Sequence, residues 1–399
     1  MVWEIARFGD LYEVDSRNGL TKPSKVRGAG YKMINMGELF ANDRIYDIPM
    51  ELVPLNENEK KNAKVECGDL LFARQSLVLE GAGKCSIVME TSPMTVFESH
   101  IIRVRLNKTE ANPLFYYYYF KSPYSAVKTI VSQCAQAGIR GSDLQELNVI
   151  HPSLDEQNRI AEILAYYDDL IENNQKQIKL LEEAAQRLYK EWFVDLPFPG
   201  YEDVQIVDGV PEGWKKTTIE NKCTLKKTIV HPEETQTGTA YIGLEHIPRH
   251  DFCLSNWGDA SEVSSNKYIY NQKDIIFGQI RPYFHKVGFA INDGVASTDS
   301  FIMKPDERCW GLFLLTVSSD AFVQFAYQTC KEGAKMPRAD WRQMKEYPLL
   351  IPGASLLCRF ETFVAEITDK IRTIVLQNRY LTEARNRLLP KLMSGEIEL

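Results

Sequence analysis

The segment Gly81-Ala82-Gly83-Lys84-Cys85-Ser86 comes nearest to a phosphate-binding loop, in which glycines let backbone N–H groups cradle phosphates while a Lys and a hydroxyl hold phosphate and magnesium. Its spacing fails. Val78 stands five positions before Gly83, where such a loop needs glycine, and Cys85 replaces the hydroxyl, so a turn leading into a strand is expected. His246 and His250 have the spacing of a zinc-binding helix, but Pro248 lies between them and Ile247 occupies the glutamate position. There is no dinucleotide fingerprint, no Gly-x-Ser-x-Gly elbow and no carboxylate cluster that a helix surface does not explain. No catalytic residue and no metal ligand is assigned, and a non-catalytic protein is expected.

What remains is chemistry suited to nucleic acid, at matching places in the two halves of the chain. After the run Asp69-Leu70-Leu71-Phe72 come Arg74, Gln75 and then Lys84. After Asp274-Ile275-Ile276-Phe277 come Gln279, Arg281, Tyr283, His285 and Lys286. A further loop, aligned as Gly138-Ile139-Arg140 with Gly333-Ala334-Lys335, supplies Arg140 and Ser142 in the first half and Lys335, Arg338 and Trp341 in the second. Arg can read guanine bidentately, Gln can read adenine, and Lys or Ser can hold phosphates, so such loops could both position and specify. Any one of these residues alone is equally an ordinary solvated loop residue. Recurrence in both halves raises the loops above that reading.

The chain that must position them has 399 residues, more than a single core usually serves, so two or more separately cored units are expected. With 44% hydrophobic and 25% charged residues it should fold throughout. A net charge of −7 argues at first against a polyanion partner, but the acidic excess is local. Residues 151–213 carry five Lys or Arg against 14 Asp or Glu, while the flanking segments are nearly balanced. The start, Met1-Val2-Trp3-Glu4, lacks a basic region followed by an apolar run, and no stretch approaches the roughly 18 apolar residues of a membrane span. A cytoplasmic protein without a membrane partner is expected. The cysteines (Cys67, Cys85, Cys134, Cys223, Cys253, Cys309, Cys330, Cys358) form no Cys-x-x-Cys pair, which suits reduced structural thiols.

Those elements are duplicated. Asp155, Gln157, Arg159, Ile160, Ile163, Ile171, Gln177, Leu181, Glu183, Ala184, Arg187 and Leu188 align without a gap onto positions 200 higher. Pro152 and Pro352 each follow a short apolar strand, at 147–150 and Pro348–Ile351, and each introduces a long helix. The globular segments repeat more loosely as short β-branched and aromatic runs, with helices expected over 113–132 and 312–329.

In the first long helix Ile160, Leu164, Tyr167, Ile171, Asn174, Ile178, Leu181, Ala185, Leu188 and Trp192 recur at steps of four and three, a heptad seam. Phe360, Val364, Ile367, Ile371, Ile374, Asn378, Leu381, Arg385 and Leu388 keep that register in the second. An antiparallel pair requires facing residue numbers to share one sum. Setting Asn174 against Asn378 places Ile178 against Ile374, Leu181 against Ile371, Leu188 against Val364, Trp192 against Phe360 and Leu164 against Leu388. Tyr167 then faces Arg385, which an aromatic ring tolerates. The expectation is an antiparallel coiled coil with an Asn174–Asn378 register lock; the alternative is that the two Asn face solvent or a partner.

Three segments resemble a known family. The tail Arg387-Leu388-Leu389-Pro390-Lys391-Leu392-Met393-Ser394-Gly395-Glu396-Ile397, the linker Asp208-Gly209-Val210-Pro211-Glu212-Gly213-Trp214 and the helix start Asp155-Glu156-Gln157-Asn158-Arg159-Ile160 are similar to the specificity subunits of type I restriction-modification systems. The resemblance implies an α+β fold with two sheet-rich target-recognition domains, 1–152 and 214–352, separated by two long antiparallel coiled-coil helices in a pseudo-twofold repeat. The spacer helices would occupy 153–194 and 353–399, the latter with the tail, and a linker 195–213. It further implies that each domain reads half of a split site in double-stranded DNA. Two modification (methyltransferase) subunits would carry S-adenosylmethionine, and restriction (motor-nuclease) subunits ATP and magnesium, leaving no cofactor in this chain. A helix of about 36 residues spans roughly 54 Å, which limits the separation of the domains to about 15 base pairs. The rivals are the recognition subunit of a related split-site system and a coiled-coil scaffold that binds proteins.

Overall fold

The computed structural model describes residues 3–133 and 137–397, so Cys134 lies outside the described residues. Runs rich in Val, Ile, Leu and Phe form strands wherever both faces can be covered, as that composition favours. Five strands build the main sheet of the first half: β1 (Tyr12–Asn18), β2 (Arg44–Ile45), β3 (Leu70–Ala73), β4 (Cys85–Val88) and β5 (Ile101–Leu106). Their order is β1-β5-β3-β4-β2, antiparallel throughout except for the parallel pair β2 and β4. The sheet is central to its core, and every residue of β3 is buried.

The second half repeats this arrangement with β6 (Cys223–Lys226), β7 (Cys253–Leu254), β8 (Ile275–Gly278), β9 (Val287–Ala290) and β10 (Ser300–Pro305). The order is β6-β10-β8-β9-β7, and again the only parallel pair in the sheet is the edge pair, β7 with β9. Each half is also tied start to end by one antiparallel pair, Glu4–Arg7 with Asn148–His151 and Lys215–Thr218 with Pro348–Ile351. What is repeated is therefore topology, carried by patterns that share few identical residues.

The helices expected over 113–132 and 312–329 are both interrupted. Helix α1 (Pro113–Lys121) starts at Asn112, whose side chain accepts from the Leu114 and Phe115 N–H groups, and ends before Ser122-Pro123, because the residue before a proline avoids helical geometry. A short 3-10 turn, Ala126–Ile130, follows. In the second half the segment divides into helices Trp310–Val317 and Asp320–Gln328, since the Ser319 side chain caps a new start by accepting from Phe322 N–H. The glycine run near Lys84 is, as expected, a turn: 3-10 geometry over Leu79–Gly81, then Gly83 at φ +77°, then β4.

Two helices dominate the chain by length, α2 (Leu154–Tyr189) and, near the C-terminus, Ala354–Met393. Numbered in chain order, Trp310–Val317, Asp320–Gln328 and Ala354–Met393 are α3, α4 and α5. The chain forms two compact units, Met1–Ile171 with Tyr380–Leu399, and Glu172–Arg379, and it passes between them within α2 and again within α5. In the second unit Asn174 Nδ2 donates to Asn378 Oδ1 at 2.8 Å, and the Trp192 and Phe360 rings lie 5.8 Å apart. Val364, Ile371 and Ile374 are buried there, with Ile178, Leu181 and Leu188 packed on the same side chains or half-buried beside them. In the first unit Ile160 and Leu164 share a core with Leu389, Leu392 and Met393, and Leu388 packs against it; Ile171 and Leu381 are half-buried. Arg385, expected opposite the Tyr167 ring, has the adjacent Asp168 carboxylate as its partner instead. A buried carboxylate holds a guanidinium more strongly than a ring face does, and Asp168 also accepts from the Tyr118 hydroxyl at 2.7 Å.

Among the described residues seven cysteines are free. No single described helix is long and apolar enough to cross a membrane.

Candidate nucleic-acid interface

Where β3 ends, the backbone of Arg74 is fixed on both sides. Its N–H donates to His100 O at 2.7 Å and its carbonyl accepts from Ile139 N at 2.9 Å. Gln75–Ser76 then pairs antiparallel with Ala137–Gly138, so the loop carrying Arg74 and Gln75 lies beside the loop carrying Arg140. Gly138 permits this approach, because a Cβ there would stand 3.0 Å from the Arg74 carbonyl oxygen. Arg74 Nη1 reaches Ser99 O at 3.3 Å and leaves the group half-buried, whereas Arg140 and Ser142 are exposed at the start of the short helix Gly141–Gln145. The Ser142 hydroxyl donates to Asp143 at 3.2 Å.

The second unit builds the same junction from other residues. The Gln279 carbonyl accepts from Ala339 N at 2.9 Å, Arg281 N donates to Pro337 O at 2.8 Å, and Ile280 bridges Arg338. Ile139 and Ala339 thus occupy one position 200 residues apart. The loop Gly138-Ile139-Arg140 corresponds to Arg338-Ala339-Asp340, which corrects the expected match to Gly333-Ala334-Lys335. Both Arg140 and Asp340 precede a short helix, as that register demands. Lys335 lies instead in an exposed turn. Arg338 is exposed and pairs with Asp299 at 2.7 Å, and the Gln279 side chain donates to Thr298 O at 3.4 Å.

Arg281 stands at φ +50°, a left-handed conformation that re-aims the chain into the turn Pro282–Phe284. Its Nε is buried without a hydrogen-bond partner among the described residues. Tyr283 is exposed and edge-on to Phe284 and Tyr327. Two of the expected cations are turned inward. Lys84 donates to Phe40 O at 2.7 Å and pairs with Asp43 at 3.1 Å, and Lys286 donates to Leu244 O. Burial, with Arg249 beside it, pushes the Lys286 ammonium down from its ordinary value. Each ammonium is held by a backbone carbonyl, Lys84 near the surface and Lys286 half-buried, so neither is an unpaired charge.

Comparison with known proteins bears on the family. Residues 2–183 match the family model described as type I restriction modification DNA specificity domain. Over the whole chain, 24% of residues are identical to the MjaIX specificity subunit, a type I restriction enzyme subunit of Methanocaldococcus jannaschii, of which 94% is covered. Residues 2–183 thus carry a domain of this family, and the chain along its whole length is similar to type I restriction-modification specificity subunits. A stretch covering 39% of the chain is 26% identical to the EcoKI specificity subunit of Escherichia coli, covering 34% of that protein. The crystal structure of a type I restriction-modification S subunit from M. genitalium shares the fold, with a TM-score of 0.58 at 15% identity, over 98% of this chain and 96% of that one.

Two further features of the loops carry no sequence motif. The Arg249 guanidinium lies 4.1 Å from the centre of the Phe284 ring, adding a cation beside Arg281 from a separate segment. Leu77, Val78 and Leu79 are exposed directly after Gln75 and Ser76, Leu77 by 89%. Hydrophobic periodicity could have flagged Leu77 to Leu79 only as a strand, whereas the structure sets Leu77 and Val78 on a loop and Leu79 at the start of the 3-10 turn.

Proposed function

We propose that this chain is the non-catalytic DNA-reading subunit of a type I restriction-modification complex, with each sheet-rich segment, 1–152 and 214–352, reading one half of a bipartite site in double-stranded DNA. The observation that carries this reading is the duplicated junction: Ile139 N on the Arg74 carbonyl and Ala339 N on the Gln279 carbonyl, both 2.9 Å. Identical backbone bonds present different side chains, which is what two reading heads with unlike targets require. Arg74, Gln75, Arg140 and Ser142 serve the first half-site, and Gln279, Arg281, Tyr283, Lys335 and Arg338 the second. Among the described residues the buried Arg281 Nε has no hydrogen-bond partner, and the side chain would have to turn outward to offer it to a base edge or phosphate.

Partner subunits supply the chemistry. Residues 151–213, with their acidic excess, suit a protein surface better than a DNA groove and are the proposed dock for two modification subunits, joined for cleavage by restriction subunits. S-adenosylmethionine, ATP and magnesium belong to those partners, and the complex works in the cytoplasm. The test is selection of random double-stranded DNA by this chain together with its modification partner. Two fixed half-sites at constant spacing are expected; no enrichment would leave a scaffold that binds proteins.

A further inference from the structure

Three side chains that the proposed reading does not use converge in the second unit. One ligand atom each from His250, His285 and Asp320 lies within 4.8 Å of the other two. His285 closes the turn Pro282–Phe284, Asp320 opens α4, and His250 comes from the loop before β7. The His285 ring is buried, and its Nε2 lies 2.8 Å from the Ser318 carbonyl oxygen. A carbonyl can only accept, so Nε2 holds the proton and Nδ1 of the neutral ring offers a lone pair. That nitrogen lies 3.2 Å from Asp320 Oδ1, which also offers lone pairs, so either a proton or a metal ion stands between them. A proton would serve two groups. The third, the His250 ring, has its centre 4.6 Å from that of His285.

The backbone keeps this arrangement. His250 N–H donates to His285 O at 3.1 Å, and both residues adopt left-handed geometry, φ +67° and +53°, which a non-glycine residue rarely takes. We propose that His250, His285 and Asp320 form a binding site for Zn2+, with water in the fourth position. Two imidazole nitrogens and a carboxylate oxygen are a zinc donor set, and bonds of about 2.0–2.1 Å put the ligand atoms of a tetrahedral ion roughly 3.3 Å apart. The His285–Asp320 separation of 3.2 Å already matches that edge. The exposed His250 closes the remaining distance by turning its ring. The Ser318 carbonyl fixes the His285 tautomer, the usual second partner of a metal-bound imidazole. Zinc here ties the turn after Arg281 to α4. That consequence for DNA reading rests on the proposed function, whereas zinc uptake does not.

The full chain, stripped with a chelator and dialysed, is titrated with ZnCl2 by calorimetry and with Co2+ for its visible absorption. The wild type should take up one tight equivalent that is lost, by at least tenfold in affinity, in His250→Ala and in Asp320→Asn. Both residues are exposed, so both variants should fold, and the same loss should extinguish the absorption of four-coordinate Co2+. His100→Ala, in the first unit, should bind as the wild type does. Uptake unchanged in either ligand variant, or no uptake by the wild type, overturns the proposal. No DNA is present in the assay, so its failure leaves the DNA-reading account untouched.

Discussion

The side-chain amide of Asn174 donates to that of Asn378 over 2.8 Å, a polar pair within an apolar helical seam. A polar seam residue fixes register because any slip buries it against hydrocarbon. The pair is therefore expected to be coupled: in a double-mutant cycle of Asn174→Ala, Asn378→Ala and both together, the interaction energy should be about 1 kcal/mol in urea unfolding. Additive losses would mean that the two amides act separately.

Glu182 lends the second unit a pH dependence. Burial, reinforced by Asp251, pushes its carboxyl up to about 7, although the Phe252 and Cys253 N–H groups at 2.8 and 2.7 Å pull it down. Between the ordinary 4.5 and 7 the folded chain holds a proton that the unfolded chain has released, so stability falls as pH rises through this window. Glu182→Gln keeps the accepting oxygen and has no proton to lose. Its stability relative to the wild type should rise between pH 5 and pH 8, by up to about 3 kcal/mol. Equal differences at the two pH values would contradict this assignment.

Gly138 sets the first reading loop against the second. In Gly138→Val the added side chain meets the Arg74 carbonyl and pushes the two loops apart. DNA selection should then show the first half-site degraded and the second unchanged, with the melting temperature altered little because the loop lies at the edge of the core. Loss at both halves would show that the junctions are not independent.

Much of this was legible in the sequence, for identifiable reasons. Heptad spacing and a gapless 200-residue offset report geometry directly, which is why the partners of Asn174 and Trp192 could be named. Arg385 departs from the seam pattern because seam arithmetic places positions and ignores the neighbour one residue away, and Asp168 outcompetes Tyr167 for a guanidinium. The loops were harder. Lys84 and Lys286 resemble surface cations in sequence, but carbonyls brought in from residues 40 and 244 hold them. In the third loop Gly333-Ala334-Lys335 looks like Gly138-Ile139-Arg140 in sequence, while what repeats between the halves is the backbone bond made by Ile139 and Ala339. His250 has His246 as its histidine neighbour in sequence but meets His285 in the fold.

The most direct test is selection from random double-stranded DNA by the complex of this chain with its modification partner, run in parallel for the wild type and Arg281→Ala. The wild type should enrich two half-sites at one spacing. Arg281→Ala should relax a position of the second half-site, at roughly 1–3 kcal/mol of lost discrimination, and leave the first intact. Equal loss at both halves, or enrichment of a single undivided site, would contradict two independent reading heads.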